Sequence, residues 1–223
     1  MRIYKYIHSC LLIEEGEDKI LFDPGIFSFL EGKVHPEAFK DVTIIIITHQ
    51  HPDHVDISAL KDIVVRSGAS VVTNTEGKKA LEKENIATTV FEEGSYQTKN
   101  FTIRALAAQH EKILSSTLPQ NTAYIINDTF LNPGDSFASH LSNLKGIKVL
   151  ALPVMAPWNT ELAVAQFAEM MTPQMVIPVH DGYAKDFFLK QRYENYGKYF
   201  SPLGIKFQPM TLPGDVVDIT MRS

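Results

Sequence analysis

The segment Val42-Thr43-Ile44-Ile45-Ile46-Ile47-Thr48-His49-Gln50-His51-Pro52-Asp53-His54 decides how the chain is read. Four consecutive isoleucines give Val42 to Thr48 the pattern of a strand buried on both faces. Directly behind it, three histidines and an aspartate fall within six residues. Imidazole nitrogen and carboxylate oxygen are the ligand types for zinc and its first-row neighbours. A helix could not present all four, because residues two apart point to different faces. At a strand end His49 and His51 project the same way, and a turn after Pro52 brings Asp53 and His54 round towards a second ion.

Three further segments repeat the arrangement of an apolar strand ending in a ligand. Phe101 to Gln109 leads to His110, Phe130 to Gly134 leads to Asp135, and Met175 to Val179 leads to His180. Strand ends are where loops diverge from a rigid sheet and carry function. Five of the eight histidines are thereby candidates for one site. An isolated histidine at a strand end is ordinarily a capped or solvated side chain; the convergence of all four segments carries the argument. His35 and His140 read as surface residues.

Composition bounds the alternatives. The 223 residues suit one domain spanning 1–223, and 44% hydrophobic content supplies a sizeable core. A lone cysteine, Cys10, excludes an intrachain disulfide scaffold and reads as a small buried hydrophobe. A net charge of −5 without basic runs argues against a nucleic-acid surface. The longest apolar stretches, Ile44 to Ile47 and Val149 to Trp158, fall short of the roughly 20 residues of a membrane helix. The N-terminus lacks the pattern of an export signal, so a cytoplasmic protein acting on a small molecule is expected, with no membrane and no nucleic acid as partner.

Along the chain, strands are expected at Ile3 to Ile13 and Lys19 to Phe22, joined by a turn at Glu15-Gly16-Glu17-Asp18. Helices follow at Ile57 to Arg66 and Glu76 to Glu84, the latter capped by Thr75, with a strand at Ser70 to Thr73 between them. A run of antiparallel strands is expected at Thr89 to Phe91, Ser95 to Gln97, Phe101 to Ala108, Thr122 to Asn127 and Thr129 to Leu131, with a tight turn at Asn127-Asp128. The last third alternates: strand Lys148 to Leu152, helix Glu161 to Met171 capped by Thr160 or Asn159, strand Met175 to Val179, helix Ala184 to Tyr199, then two edge strands within Lys206 to Ile219. Two packed mixed sheets with helices on their outer faces satisfy this order.

The pattern His49-x-His51-x-Asp53-His54, then His110, Asp135 and His180, resembles that of the metallo-β-lactamase-fold hydrolases, over nearly the whole chain. Leu21-Phe22-Asp23-Pro24 is similar to the strand-and-Asp motif preceding the histidine cluster in that family. The opening His8-Ser9-Cys10 looks most like the branch containing L-ascorbate-6-phosphate lactonase. Ile7 and Asp56 depart from the glycines common at those positions. The resemblance implies a four-layer αββα sandwich of two mixed sheets. It implies two divalent ions, Zn²⁺ foremost with Mn²⁺ or Fe as alternatives. His49, His51 and His110 would bind the first, Asp53, His54 and His180 the second, and Asp135 both.

The implied chemistry is hydrolysis of an ester, lactone, amide or phosphodiester by a hydroxide whose parent water has its pKa lowered from 15.7 towards about 7. Asp53 is the catalytic candidate, orienting that hydroxide and carrying a proton to the leaving group. Asp23 is read either as a turn former or as an acceptor orienting a ligating histidine. His8 is placed beside the ligands or at the rim. Trp158 is a candidate cleft wall, and Lys112 or Lys185 a partner for an anionic group, beside a polar loop from Ser115 to Asn121 and with Tyr183 nearby. The rivals are an iron-dependent oxidoreductase on the same scaffold, of the persulfide-dioxygenase kind, a nuclease, and a metal-stabilised binding or regulatory protein without turnover.

Overall fold

Strand side chains alternate between faces, and here both faces are apolar because each sheet is covered twice. The computed structural model describes residues 1–220. Its first half gives β1 (Arg2–Lys5), β2 (Leu11–Glu15), β3 (Asp18–Phe22), helix α1 (Ile26–Phe29), β4 (Ile44–Ile46), α2 (Ile57–Ser67), β5 (Ser70–Thr73), α3 (Thr75–Glu82) and β6 (Thr88–Val90). The second half gives β7 (Gly94–Gln97), β8 (Thr102–Ala107), β9 (Thr122–Ile126), β10 (Phe130–Asn132), β11 (Val149–Pro153), α4 (Glu161–Met171), β12 (Met175–Val179), α5 (Asp186–Phe200), β13 (Lys206–Phe207) and β14 (Asp215–Asp218).

The strands form two seven-stranded sheets, ordered β14-β1-β2-β3-β4-β5-β6 and β13-β12-β11-β10-β9-β8-β7. Each has an antiparallel part and a parallel part. In the first, β14 to β3 pair antiparallel and β3 to β6 parallel. In the second, β7 to β10 pair antiparallel and β10 to β13 parallel. The αββα sandwich is thus the observed architecture.

The apolar period sorts the layers. Leu11, Ile13, Ile20, Phe22 and Ile46 point between the sheets, where they meet Tyr124, Ile126, Phe130, Val149 and Ala151. Phe22 sits 6.2 Å from Tyr124 and 5.9 Å from Phe130, ring to ring. Truncating one such ring to alanine costs about 3–5 kcal/mol. The alternate residues Leu12, Leu21 and Ile45 face outward with Leu60, Ile63 and Leu81 of α2 and α3. On the other side Leu150 and Leu152 meet Val164, Phe167 and Tyr196 of α4 and α5.

Three expectations need correction. The strand expected from Ile3 to Ile13 is two strands, broken at Tyr6 to Cys10, where His8 takes φ 62°. The residues of β6 belong to the first sheet, parallel to β5, with Val71 opposite Thr88; β-forming composition does not say which neighbour a strand chooses. Helix α3 is capped by Asn74, whose side chain accepts from Gly77 N, and Thr75 is its first residue. The Asn127-Asp128 turn is present with both residues at positive φ, as a type I′ turn requires. Thr160 caps α4 as expected, and the tail supplies β13 and β14, one at the edge of each sheet.

Candidate metal centre

Isoleucine pairing carries the chain to the site: Ile47 N continues the ladder by donating to Val72 O at 2.9 Å, and the next residue, Thr48, is fully buried. After His49 the chain makes one tight turn, with His54 N and Val55 N both donating to His51 O. The loop from Asp23 to Gly25 packs under that turn. Ile26 N donates to Pro52 O and Asp56 N to Pro24 O. A Cβ at Gly25 would lie 1.8 Å from Asp53 O, so only glycine permits this approach.

Strands β8, β10 and β12 of the second sheet run in the same direction and bring His110, Asp135 and His180 against this turn. Asn121 holds the loop of Asp135: its Oδ1 accepts from Asp135 N at 3.1 Å, and its Nδ2 donates to Ala108 O and Pro133 O. Gly134 at φ 58° passes so close that a Cβ would meet Asn121 Oδ1 at 2.1 Å. His8, Asp23 and His180 all take left-handed φ, of 62°, 44° and 63°. Such backbone strain persists where surrounding contacts over-determine it, and all three residues lie at this site.

The side chains fall into two groups, His49, His51, His110 and Asp135, and His8, Asp53, His54 and His180, each able to hold a metal ion, with ligand atoms within 4.8 Å of one another. Asp135 faces both. Its Oδ2 is 3.5 Å from His110 Nε2 and 3.1 Å from His180 Nε2, while its Oδ1 is 3.2 Å from His54 Nε2. His54 Nε2, His110 Nε2 and Asp135 Oδ1 are buried without a hydrogen-bond partner, which leaves their lone pairs for a cation.

Hydrogen bonds set the tautomers. His110 Nδ1 donates to Glu111 O at 2.6 Å, His180 Nδ1 to Met155 O at 2.6 Å and His54 Nδ1 to Asp23 Oδ2 at 3.0 Å. Thr48 Oγ1 donates to Asp23 Oδ2 at 2.9 Å and can then accept from His49 Nδ1 at 3.1 Å. When these rings are neutral the proton sits on Nδ1, and Nε2 is the nitrogen left for a cation. His51 instead presents Nδ1, 3.2 Å from His49 Nε2. His8 is the reverse: Nδ1 accepts from Gly182 N at 3.0 Å, so Nε2–H donates to Asp53 Oδ2 at 3.2 Å.

The charges balance within the site. Burial opposes a charged Asp135, but the positive His180 and His54 hold its carboxyl well below the usual range. Burial likewise opposes a charged His180, yet Asp135 and Asp53 push it up to about 10. Asp53 is drawn down against its burial by hydrogen bonds from His180 and His8. Burial pushes His8 down to about 4, keeping the imidazole neutral. Asp23, fully buried, is raised by desolvation against the pull of His54.

All seven residues expected as ligands meet here, and Asp23 and His8 contact them. A cleft of about 450 Å³ opens over His51, Asp53, His110, Asp135 and His180. Its remaining lining is Lys112, Ile113, Leu114, Pro157 and Trp158. Trp158 Nε1 donates to Asp135 Oδ2 at 3.2 Å. Trp158 lines the cleft with the apolar pair Ile113 and Leu114, the Ser115 to Asn121 loop contributes no lining residue, and Lys185 lies at the start of α5, outside that lining. His35 and His140 are exposed, and Cys10 is fully buried.

Sequence reasoning missed Thr48, Asn121 and a buried cluster beside His180. In that cluster Asp181 pairs with Lys5 of β1 and accepts from Tyr193 OH of α5. The clue available was Lys5 itself, a lysine two residues from Ile3 and so on the same buried face of β1. A larger cavity, about 970 Å³ around Asn127, Lys148 and Gln174, lies at the opposite ends of β11 and β12 and adjoins neither ligand group.

The sequence matches the family described as Beta-lactamase superfamily domain over residues 2–180. It is 29% identical to Protein Rv0786c of Mycobacterium tuberculosis over 188 residues, covering 81% of this chain and 84% of that protein. It is 25% identical to a UPF0173 metal-dependent hydrolase of Methanocaldococcus jannaschii over 183 residues, 78% of this chain and 82% of that protein. The fold superposes on Igni18, a metallo hydrolase from the hyperthermophilic archaeon Ignicoccus hospitalis, with a TM-score of 0.76 at 20% identity, covering 100% of both chains.

Proposed function

Because this chain belongs to the β-lactamase superfamily, we propose that it is a hydrolase whose two His/Asp groups hold a pair of divalent cations. His49, His51 and His110 hold one, Asp53, His54 and His180 the other, and Asp135 serves both. The observation that carries this is the tautomer pattern: four buried histidines spend Nδ1 on protein acceptors and aim Nε2 at two carboxylates. The ligand set suits Zn²⁺, and the whole chain acts as one domain.

When bound, such ions supply Lewis acidity and lower the pKa of a water to about 7. The chain supplies orientation and proton handling. Asp53 is 23% exposed and lines the cleft, so its carboxylate can align the attacking water and pass a proton to the leaving group. His8 Nε2–H and the His180 ring hold Asp53 Oδ2 from two sides, at 3.2 and 3.3 Å. Trp158 fixes Asp135 in the same way. The bond cleaved is an ester, lactone, amide or phosphodiester of a small molecule.

Elemental analysis of the purified protein, with a hydrolysis screen over lactones, thioesters and phosphodiesters, tests the proposal. About two ions per chain are expected, with turnover abolished in Asp53→Asn. A protein that retains no metal, and in which added Zn²⁺ or Mn²⁺ restores no hydrolysis, overturns it.

A further inference from the structure

We propose that the substrate has a compact apolar or aromatic body carrying one anionic group, and is neither a sugar nor a nucleotide. The inference rests on the hydrolase function above, since it concerns what covers the same centre. Apart from the His and Asp side chains beneath, the cleft is lined by Ile113, Leu114, Pro157, Trp158 and Lys112. Four of these five are apolar. Leu114 is fully exposed at the lip, apolar surface that a bound molecule would take out of water.

Two polar groups beside the cleft are already engaged. Trp158 Nε1–H is spent on Asp135, so this residue offers the ligand its ring and no donor. Tyr183 OH donates to Met155 O at 2.6 Å. A hydroxyl-rich ligand would lose its bonds to water and find no side-chain hydroxyl or amide in the lining to replace them. That argues against the sugar phosphates that the lactonase resemblance suggests.

Lys112 is the one lysine or arginine in the lining. It is exposed, and no acidic group among the described residues pairs with it. Its neighbour Glu111 is turned away, accepting from Phe137 N at 2.9 Å. One unpaired ammonium beside an apolar wall matches a single carboxylate or phosphate; a phosphodiester chain would call for several cations. A volume near 450 Å³ suits a small ligand.

Trp158 is the chain's only tryptophan, so intrinsic fluorescence reports directly on the cleft. Metal-loaded protein is titrated with 4-phenylbutyrate, its neutral amide 4-phenylbutyramide, 4-phenylbutyl phosphate and glucose 6-phosphate. Both aromatic anions are expected to bind about fivefold more tightly than the amide, and the amide more tightly than the sugar phosphate. The preferred anion separates a carboxylate from a phosphate substrate. In Lys112→Gln the advantage of acid over amide disappears; in Leu114→Ser all aromatic probes weaken together.

Glucose 6-phosphate binding more tightly than the aromatic probes overturns the proposal, as does failure of every aromatic probe to bind. An acid preference that survives Lys112→Gln overturns it too, because the anion then sits on the metal ions. Metal content and hydrolysis are measured on the same preparation. Tight aromatic-acid binding without metal or turnover would sink the hydrolase function and leave the cleft's chemistry standing. Turnover of sugar phosphates would do the opposite.

Discussion

Strands β3 to β6 and β10 to β13 run the same course, four parallel strands leading from an antiparallel set, yet they equip the site differently. The loop after β4 carries four donor residues between His49 and His54, whereas its counterpart after β11, Val154 to Thr160, carries no His, Cys, Asp or Glu. The second half instead places single donors at three separate strand ends, as His110, Asp135 and His180. Even the turns after β3 and β10 echo one another, Phe22-Asp23-Pro24-Gly25 against Asn132-Pro133-Gly134-Asp135. In the first, Asp23 sits beneath the site and accepts from His54; in the second, Asp135 sits within it. The first half therefore builds its donors with one local turn. The second depends on register, and on Asn121 tying its loops together.

The largest effect should come from breaking the dispersed half at Asp135. Asp135→Ala removes the carboxylate facing both groups, so metal affinity should fall at both by more than the ~100-fold seen for outer hydrogen-bond partners. His51→Ala should empty one group and leave about one ion per chain by elemental analysis. An Asp135→Ala protein that still held one ion tightly would show that the carboxylate is not shared.

Asp23→Asn comes next. It keeps an acceptor for Thr48 N but weakens the grip on His54 Nδ1, and metal affinity should drop ~10- to 100-fold by chelator competition. Unchanged affinity would mean that Asp23 only closes its turn.

pH distinguishes the loaded from the stripped protein. The folded pKa of His180 is about 10, raised by Asp135 over the opposing burial, against about 6.5 unfolded. A raised histidine stabilises the fold fully below its unfolded pKa, and that contribution is lost as pH rises through the folded value. Chelator-treated protein should therefore melt at falling temperatures from pH 7 to pH 10. Metal displaces the proton, so affinity should climb over the same range while the loaded protein loses little stability. A chelated protein whose melting temperature rises over that window contradicts the assignment.

The smallest effects separate the helix caps of the two halves. Thr160→Ala removes a plain cap of α4 and should cost about 1 kcal/mol by urea titration, with kinetics unaltered. Asn74→Ala removes the cap of α3 and also the donor to the buried Thr48 O and to Gln120 O, raising the cost to about 2–3 kcal/mol. Equal costs would show that Asn74 does nothing beyond capping.

How much the sequence disclosed follows the same division. His49 to His54 were legible because they are contiguous and their density has no packing purpose. His110, Asp135 and His180 were legible one at a time, each behind an apolar strand. Thr48 gave no sign, since a threonine after a strand is ordinary. Asn121 gave none either, because its three partners are Ala108, Pro133 and Asp135, a dozen or so residues away. The apolar lip of Ile113 and Leu114 gave no sign, being two residues between Lys112 and the polar loop that begins at Ser115. His8 was visible as a residue, but a period of two cannot announce that its strand breaks and turns it inward at φ 62°.

By itself, then, the sequence determined the two-sheet architecture and the chemical kind of site, because side-chain period and ligand density are local properties. Tertiary structure decided which nitrogen each histidine offers, why His8 donates to Asp53, and where Lys112 and Trp158 stand. These depend on single hydrogen bonds between strand ends far apart in the chain, and no local pattern encodes such bonds.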